Sequence, residues 1–284
     1  MIPVVAGSNP VGHPNPAPRA PRHWRAPALR GATPQAAFRA VALAALAQIE
    51  SNARGVLLSD DPEFLHQLRI GMRRLRAALR AFRGVLVRKD ARRVIRFLRR
   101  VSPRLGVARD WDVLVARVQA DRGSPGLLSA AQARQGAARR AARRALVSKR
   151  FASIGPRVRK LATTPCSATL AQFGAAALAR AHRKLMAQAL GLDWADAAAR
   201  HAVRIRVKRL RYSCEFFAPA FPAKGVSPYI AALKALQEVL GALNDISVGR
   251  RLIGFEADEA ALLRRLGLVW VRFAKRRVFW RAPA

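Results

Sequence analysis

The stretch HQLRIGMRRLRAALRAF, residues 66–82, can gather its large apolar side chains on one side in only one regular conformation. Leu68, Met72, Leu75, Leu79 and Phe82 recur at alternating steps of four and three residues, which stacks them on one face of a helix and would scatter them over both faces of a strand. At about 100° per residue, Arg69, Arg73, Arg76 and Arg80 fall within roughly 80° on one side of His66, opposite the apolar row. The segment therefore predicts a two-faced helix whose cations are held in register by the packing of its leucines.

The pattern occurs twice. Residues 201–217, HAVRIRVKRLRYSCEFF, match the first stretch at seven of seventeen positions when shifted by 135, and place His201, Arg204, Lys208 and Arg211 on one face with Val203, Val207, Leu210, Cys214 and Phe217 on the other. The same shift, without a gap, aligns LGVARDWDV at 105 with LGALNDISV at 240. Two anchors in one register read as a duplicated unit over residues 34–150 and 169–284. Between them SIGPRVRKLATTPCS, with Gly155, Pro156 and Pro165, marks a junction. Related halves can share one interface, so two copies need not be two domains.

Long Ala-, Leu- and Arg-rich segments with three- and four-residue spacing, and few alternating β-branched runs, predict an all-α chain. Helices are expected near 35–55, 62–84, 89–104, 110–121 and 129–150, with counterparts 135 residues later. Gly106 and Gly241 read as helix C-caps, and Asp110 and Asp245 as N-caps of the helices that follow. Eight of the seventeen prolines lie within the first 34 residues, so residues 1–33 read as a disordered tail outside the fold.

Charge narrows the function. Fifty-three Lys and Arg against sixteen Asp and Glu give +37, with the excess in both halves. Such a field repels itself, which favours a polyanionic partner. Ordinary exposed helices intersperse acids at i+4; the first basic face has none, and the second has Glu215 alone. Each face also opens with a histidine, able to hydrogen-bond an anion in either protonation state. The candidate anion-binding residues are His66, Arg69, Arg73, Arg76, Arg80, His201, Arg204, Lys208 and Arg211. Other predicted helices add cations, among them Arg99, Arg139, Arg143 and Arg272, some of them candidates for the same groove.

Catalysis is not expected. The acids form no cluster of the kind that holds divalent metals for phosphoryl transfer. No Gly-rich phosphate loop and no Ser-His-Asp grouping is readable, and no cofactor or metal is called for. Cys166 and Cys214 are too few for a disulfide framework and read as buried thiols. No window reaches the roughly 18 apolar residues of a membrane span, and no secretory signal is apparent, so a cytoplasmic location is expected. Nonspecific nucleic-acid binding is the alternative, since phosphate contacts need no base readout. Against it, aromatic residues are 7% of the chain and those of the motif face the core, leaving few stacking platforms.

The two histidine-led segments, each followed at one spacing by LG…D, resemble the signature segments of the CHAD family, the conserved histidine α-helical domain. The resemblance covers about 250 residues, all but the proline-rich tail. It implies two pseudo-symmetric helical bundles with a basic channel between them, and binding of inorganic polyphosphate by His66, Arg69, Arg73, Arg76, His201, Arg204, Lys208 and Arg211; Arg80 extends the first face by helical position alone. Many relatives also carry a triphosphate-processing domain with a Glu-x-Glu-x-Lys signature. That signature is absent from the sequence, which resembles the binding domain alone; polyphosphate granules are then a candidate location within the cytoplasm.

Overall fold

The computed structural model describes residues 20–120, 124–253 and 258–280. It is all-α; among these residues the one extended pairing is an isolated bridge between Leu86 and Thr163. The helices are α1 (Pro34–Leu58), α2 (Pro62–Ala81), α3 (Arg88–Ala120), α4 (Pro125–Leu146), α5 (Lys149–Ala152), α6 (Ile154–Arg159), α7 (Leu170–Ala189), α8 (Ala197–Phe217), α9 (Ala223–Ile253) and α10 (Ala260–Ala274). Several starts follow from local chemistry. Thr33 and Ser124 cap α1 and α4 ahead of a proline at the first turn, and Asp196 accepts from two backbone N–H groups at the start of α8.

The two-faced helices form as the periodicity requires. Leu68, Met72, Leu75, Leu79 and Phe82 of α2 are all at most 1% exposed, and Val203, Val207, Leu210, Cys214 and Phe217 of α8 are fully buried. Burying a side chain of this size contributes roughly 1.5–3 kcal/mol, so these rows alone fix both helices. Helix α2 packs on α1 and α3, α8 packs on α7 and α9, and α2 meets α8. Phe82 and Phe217, which occupy equivalent places in the two motifs, touch with ring centroids 4.8 Å apart. A three-residue 3-10 turn follows each of α2 and α8, at Arg83–Val85 and Ala218–Ala220.

Three expectations need correction. Gly106 and Gly241 do not end helices, and Asp110 and Asp245 do not begin them: α3 and α9 run through all four positions. Neither glycine has a positive φ, which among the described glycines belongs to Gly31 and Gly191. The two pairs of helices expected as separate pieces are thus two long single rods, α3 and α9. The proline-rich stretch is not wholly outside the fold either. Its residues 1–19 lie outside the described residues, but Leu29 is 3% exposed, Asn52 of α1 bonds both the N–H and the carbonyl of Arg22, and the Trp24 ring sits edge-on to Phe216 at 6.1 Å. Trp24 and Leu29 supply the apolar surface that proline counting overlooks. Finally, the junction is not plain linker: it contains α6, anchored by buried Ile154 and Val158.

Candidate anion-binding cleft

Three cavities line up between α2 and α8. The first, about 500 Å³, is bounded by His66, Arg69 and Arg73 of α2, Arg109 and Asp110 of α3, His201, Arg204 and Lys208 of α8, and Asn244, Asp245 and Arg251 of α9. It shares Arg73 and Lys208 with a second of about 170 Å³, lined by Arg76, Arg80, Arg99, Arg209 and Tyr212. That one shares Ala77, Arg80 and Arg209 with a third of about 300 Å³, which reaches α7. Residue numbers rise together along α2 and α8, so the two helices run in the same direction beside one cleft. From His66 to Arg83 the cleft follows about 25 Å of helix rise.

The structure brings eight of the nine sequence-derived residues to this cleft. Arg211 stands apart: its Nε donates to Gln237 at 2.8 Å, and its guanidinium is paired with Glu215 one turn on. Reasoning from sequence missed Arg109, Arg209 and Arg251 as wall residues, and missed the two aspartates. Arg209 had a usable signal, since it belongs to the repeated motif. Asp110 and Asp245 had one as well, in the second repeated anchor. Of the further cations, Arg99 lines the cleft, whereas Arg139 and Arg143 tie α4 to α3 and to the end of α1 and the loop after it: Arg139 Nε donates to Asp112 of α3 at 2.8 Å, and Arg143 donates to the Val56 and Ser59 carbonyls and to Asp60.

A division of labour among the cations follows. Arg74 spends its charge inside the protein, donating to Glu215 at 2.8 Å. Arg200 does the same, donating to the Trp194 and Ala195 carbonyls and to Glu259 at 2.6 Å. In the described structure no ion pair holds Arg69, Arg73, Arg76, Arg204, Lys208 or Arg209. All six are nevertheless half-buried, and the Nε atoms of Arg73 and Arg204 are buried without a hydrogen-bond partner.

Burial and mutual repulsion show in their acidity. Burial, then Arg204 and Arg73, push Lys208 down to about 6. Burial and Arg109 push His66 down to about 4. Arg69, Arg76 and Arg80 fall to about 10, in each case through burial first and neighbouring arginines second. Burial raises Asp110, against the opposing pull of Arg69 and Arg251. Asn244 Oδ1 lies 3.2 Å from both His201 Nδ1 and Arg204 Nη1, holding these two side chains at the wall. Gly106 has a local purpose: a Cβ there would lie 2.9 Å from Arg69 Nη1, so the missing side chain leaves room for that guanidinium.

Among the described residues, no group of three or more His, Cys, Asp or Glu side chains is placed to hold a metal ion, and no helix is long and apolar enough to cross a membrane. Fold and site define a class: an all-α protein with a long cationic cleft along two histidine-bearing helices. The CHAD domain family model matches residues 40–254, and the chain belongs to that family. The crystal structure of the CHAD domain from the plant Ricinus communis superposes with a TM-score of 0.70 at 33% identity, over 93% of this chain and 94% of that one. PptA from Streptomyces chartreusis superposes at 0.59 and 17% identity, over 86% and 98%, a likeness of fold. No curated protein matches.

Proposed function

We propose that the cleft binds inorganic polyphosphate and performs no chemistry on it. The observation that carries this reading is the row of half-buried cations running from Arg69 to Arg209, none held in an ion pair in the described structure and only partly offset by Asp110 and Asp245. Concentrating them costs free energy in the unliganded protein, and a linear chain of phosphates returns it at every position. Arginine forks donate to phosphate oxygens two at a time, and counterions released from the polymer add a salt-dependent driving force.

Membership of the CHAD family supports the same ligand. Shape favours it over nucleic acid: the cavity of about 170 Å³ between the two larger ones suits a bare phosphate chain and has no room for a duplex. The motif phenylalanines that single-stranded bases would stack on are buried instead. Recruitment to polyphosphate granules is the expected cellular consequence of such binding.

Changing Arg69, Arg73 and Arg204 together to Glu tests the assignment. The triple variant should lose at least a hundredfold in affinity for long-chain polyphosphate while its helical circular dichroism is unchanged. Unaltered affinity in the folded variant would refute the assigned wall.

A further inference from the structure

The third cavity differs in chemistry from the other two. Its floor is four alanine methyl groups, Ala77 and Ala81 one turn apart on α2 and Ala177 and Ala181 one turn apart on α7. Around that floor stand Arg80, Arg83, Arg180, Lys184, Arg206 and Arg209, and no carboxylate or aromatic side chain is in the wall. A phosphate chain uses the cations but gains nothing from methyl groups, which cannot hydrogen-bond it. An anion with a flat uncharged body uses both.

The first half of the chain shows what such a place accepts. Under the offset of 135, Arg209 corresponds to Arg74, and Ala77 and Ala81 correspond to Tyr212 and Phe216. The surroundings of Arg74 are filled with rings. Its guanidinium lies 4.6 Å from the centroid of Trp24 and 5.1 Å from that of Tyr212, and Trp24 in turn rests on Phe216. Here the chain supplies its own aromatic plane to the arginine. Beside Arg209 the two equivalent positions, Ala77 and Ala81 of α2, carry no ring, and the space is a cavity of about 300 Å³, within the range of small-molecule sites.

We propose that this recess binds a nucleoside polyphosphate, with the base between the Arg209 guanidinium and the alanine floor and the phosphates directed past Arg80 into the neighbouring cavity. Arginine planes stack on nucleobases, so the contact is available to any base. The wall offers the Ser213 hydroxyl, which already donates to the Arg209 carbonyl, and no fixed set of donors and acceptors to read a base edge. The site is therefore indifferent to base identity. Because Arg80 and Arg209 belong to both cavities, the nucleotide and the end of a long phosphate chain compete for them. The proposal does not require the long chain to bind.

The test is calorimetric titration of the purified protein with ATP and, separately, with inorganic tripolyphosphate at matched ionic strength. ATP should bind about tenfold more tightly, the increment expected of one stacked base, and GTP and CTP should bind within a few-fold of ATP. In Arg209→Lys, which keeps the charge and removes the plane, the advantage of ATP over tripolyphosphate should disappear, whatever the substitution does to tripolyphosphate itself. Ala177→Trp, which fills the floor, should have the same effect. Equal affinities for ATP and tripolyphosphate in the unaltered protein would overturn the proposal, as would an ATP advantage that survives Arg209→Lys. Long-chain polyphosphate titrated in parallel reports the cleft independently, so loss of one reading leaves the other measurable.

Discussion

Raising the pH from 7 to 8 should weaken polyphosphate binding by about tenfold, and one residue should be responsible. Lys208 sits where two cavities meet, facing Arg69 and Arg73 of α2 and Arg204 on its own helix, with Asp245 of α9 as an offsetting charge. Burial and these cations hold its ammonium at about 6 in the free protein. A bound polyanion reverses the repulsion and restores a value near the ordinary ~10.4. Between those limits the free protein lacks a proton that the complex carries, so binding takes up one proton and affinity falls about tenfold per pH unit. Below pH 6 the lysine is charged in both states and the slope lessens. His66, held at about 4, adds proton uptake at the acid end. Internal phosphates of a long chain stay ionised throughout, so the titration belongs to the protein. Calorimetry in two buffers of different ionisation enthalpy at pH 7.5 should give an uptake near one proton, abolished in Lys208→Met. A pH-independent affinity between 7 and 8, or uptake that persists in Lys208→Met, would rule out Lys208 as the group that takes up the proton.

The same residue affects stability. Because the folded value of Lys208 lies below the unfolded one, the unfolded chain holds more protons between about pH 6 and ~10.4, and the free protein should become more stable as pH rises through that window; thermal unfolding in matched buffers checks this, and a flat or falling profile from pH 7 to 9 contradicts it. Leu75→Asp, at a position with no exposure, buries an unpaired charge and should abolish the cooperative unfolding transition at ambient temperature. Glu215→Ala removes the partner of Arg74 and Arg211, both nearly covered, and should cost about 3–5 kcal/mol by denaturant unfolding. Gly106→Ala raises helix propensity by up to about 1 kcal/mol yet crowds the Arg69 guanidinium; the expected result is a slightly higher Tm with several-fold weaker polyphosphate binding, and unchanged binding would remove that role for the glycine.

The paired basic helices were legible because burial of one face at helical spacing leaves little freedom in where the other face points. Boundaries set by single residues were less so. Glycine marks a helix end where a positive φ is required, and Gly106 serves instead to admit a side chain from α2, a requirement visible only once the helices are packed. Asp110 and Asp245 resembled caps for the same reason: a carboxylate after a glycine has one meaning at a helix start and another inside a rod facing arginines. Helical position assigned Arg211 to the anion-binding face, but Glu215 stands where the first motif has Arg80, and an acid one turn away captures the guanidinium. That contrast was present in the sequence as an i,i+4 pair. What no periodicity could supply was the occupancy of space around Arg74, because Trp24 reaches it from a stretch whose prolines masked its apolar residues.

Selectivity for a phosphate chain over other polyanions separates a shaped cleft from a generic cationic surface. Labelled long-chain polyphosphate bound to the purified protein at physiological salt should be challenged with duplex DNA, RNA and heparin at equal charge concentration. Resistance to displacement by large factors is the result expected of a narrow cleft lined from both histidine-bearing helices. Equal competition by all of them would reduce the site to a generic field of cations, and nucleic acid would then have the same standing as polyphosphate.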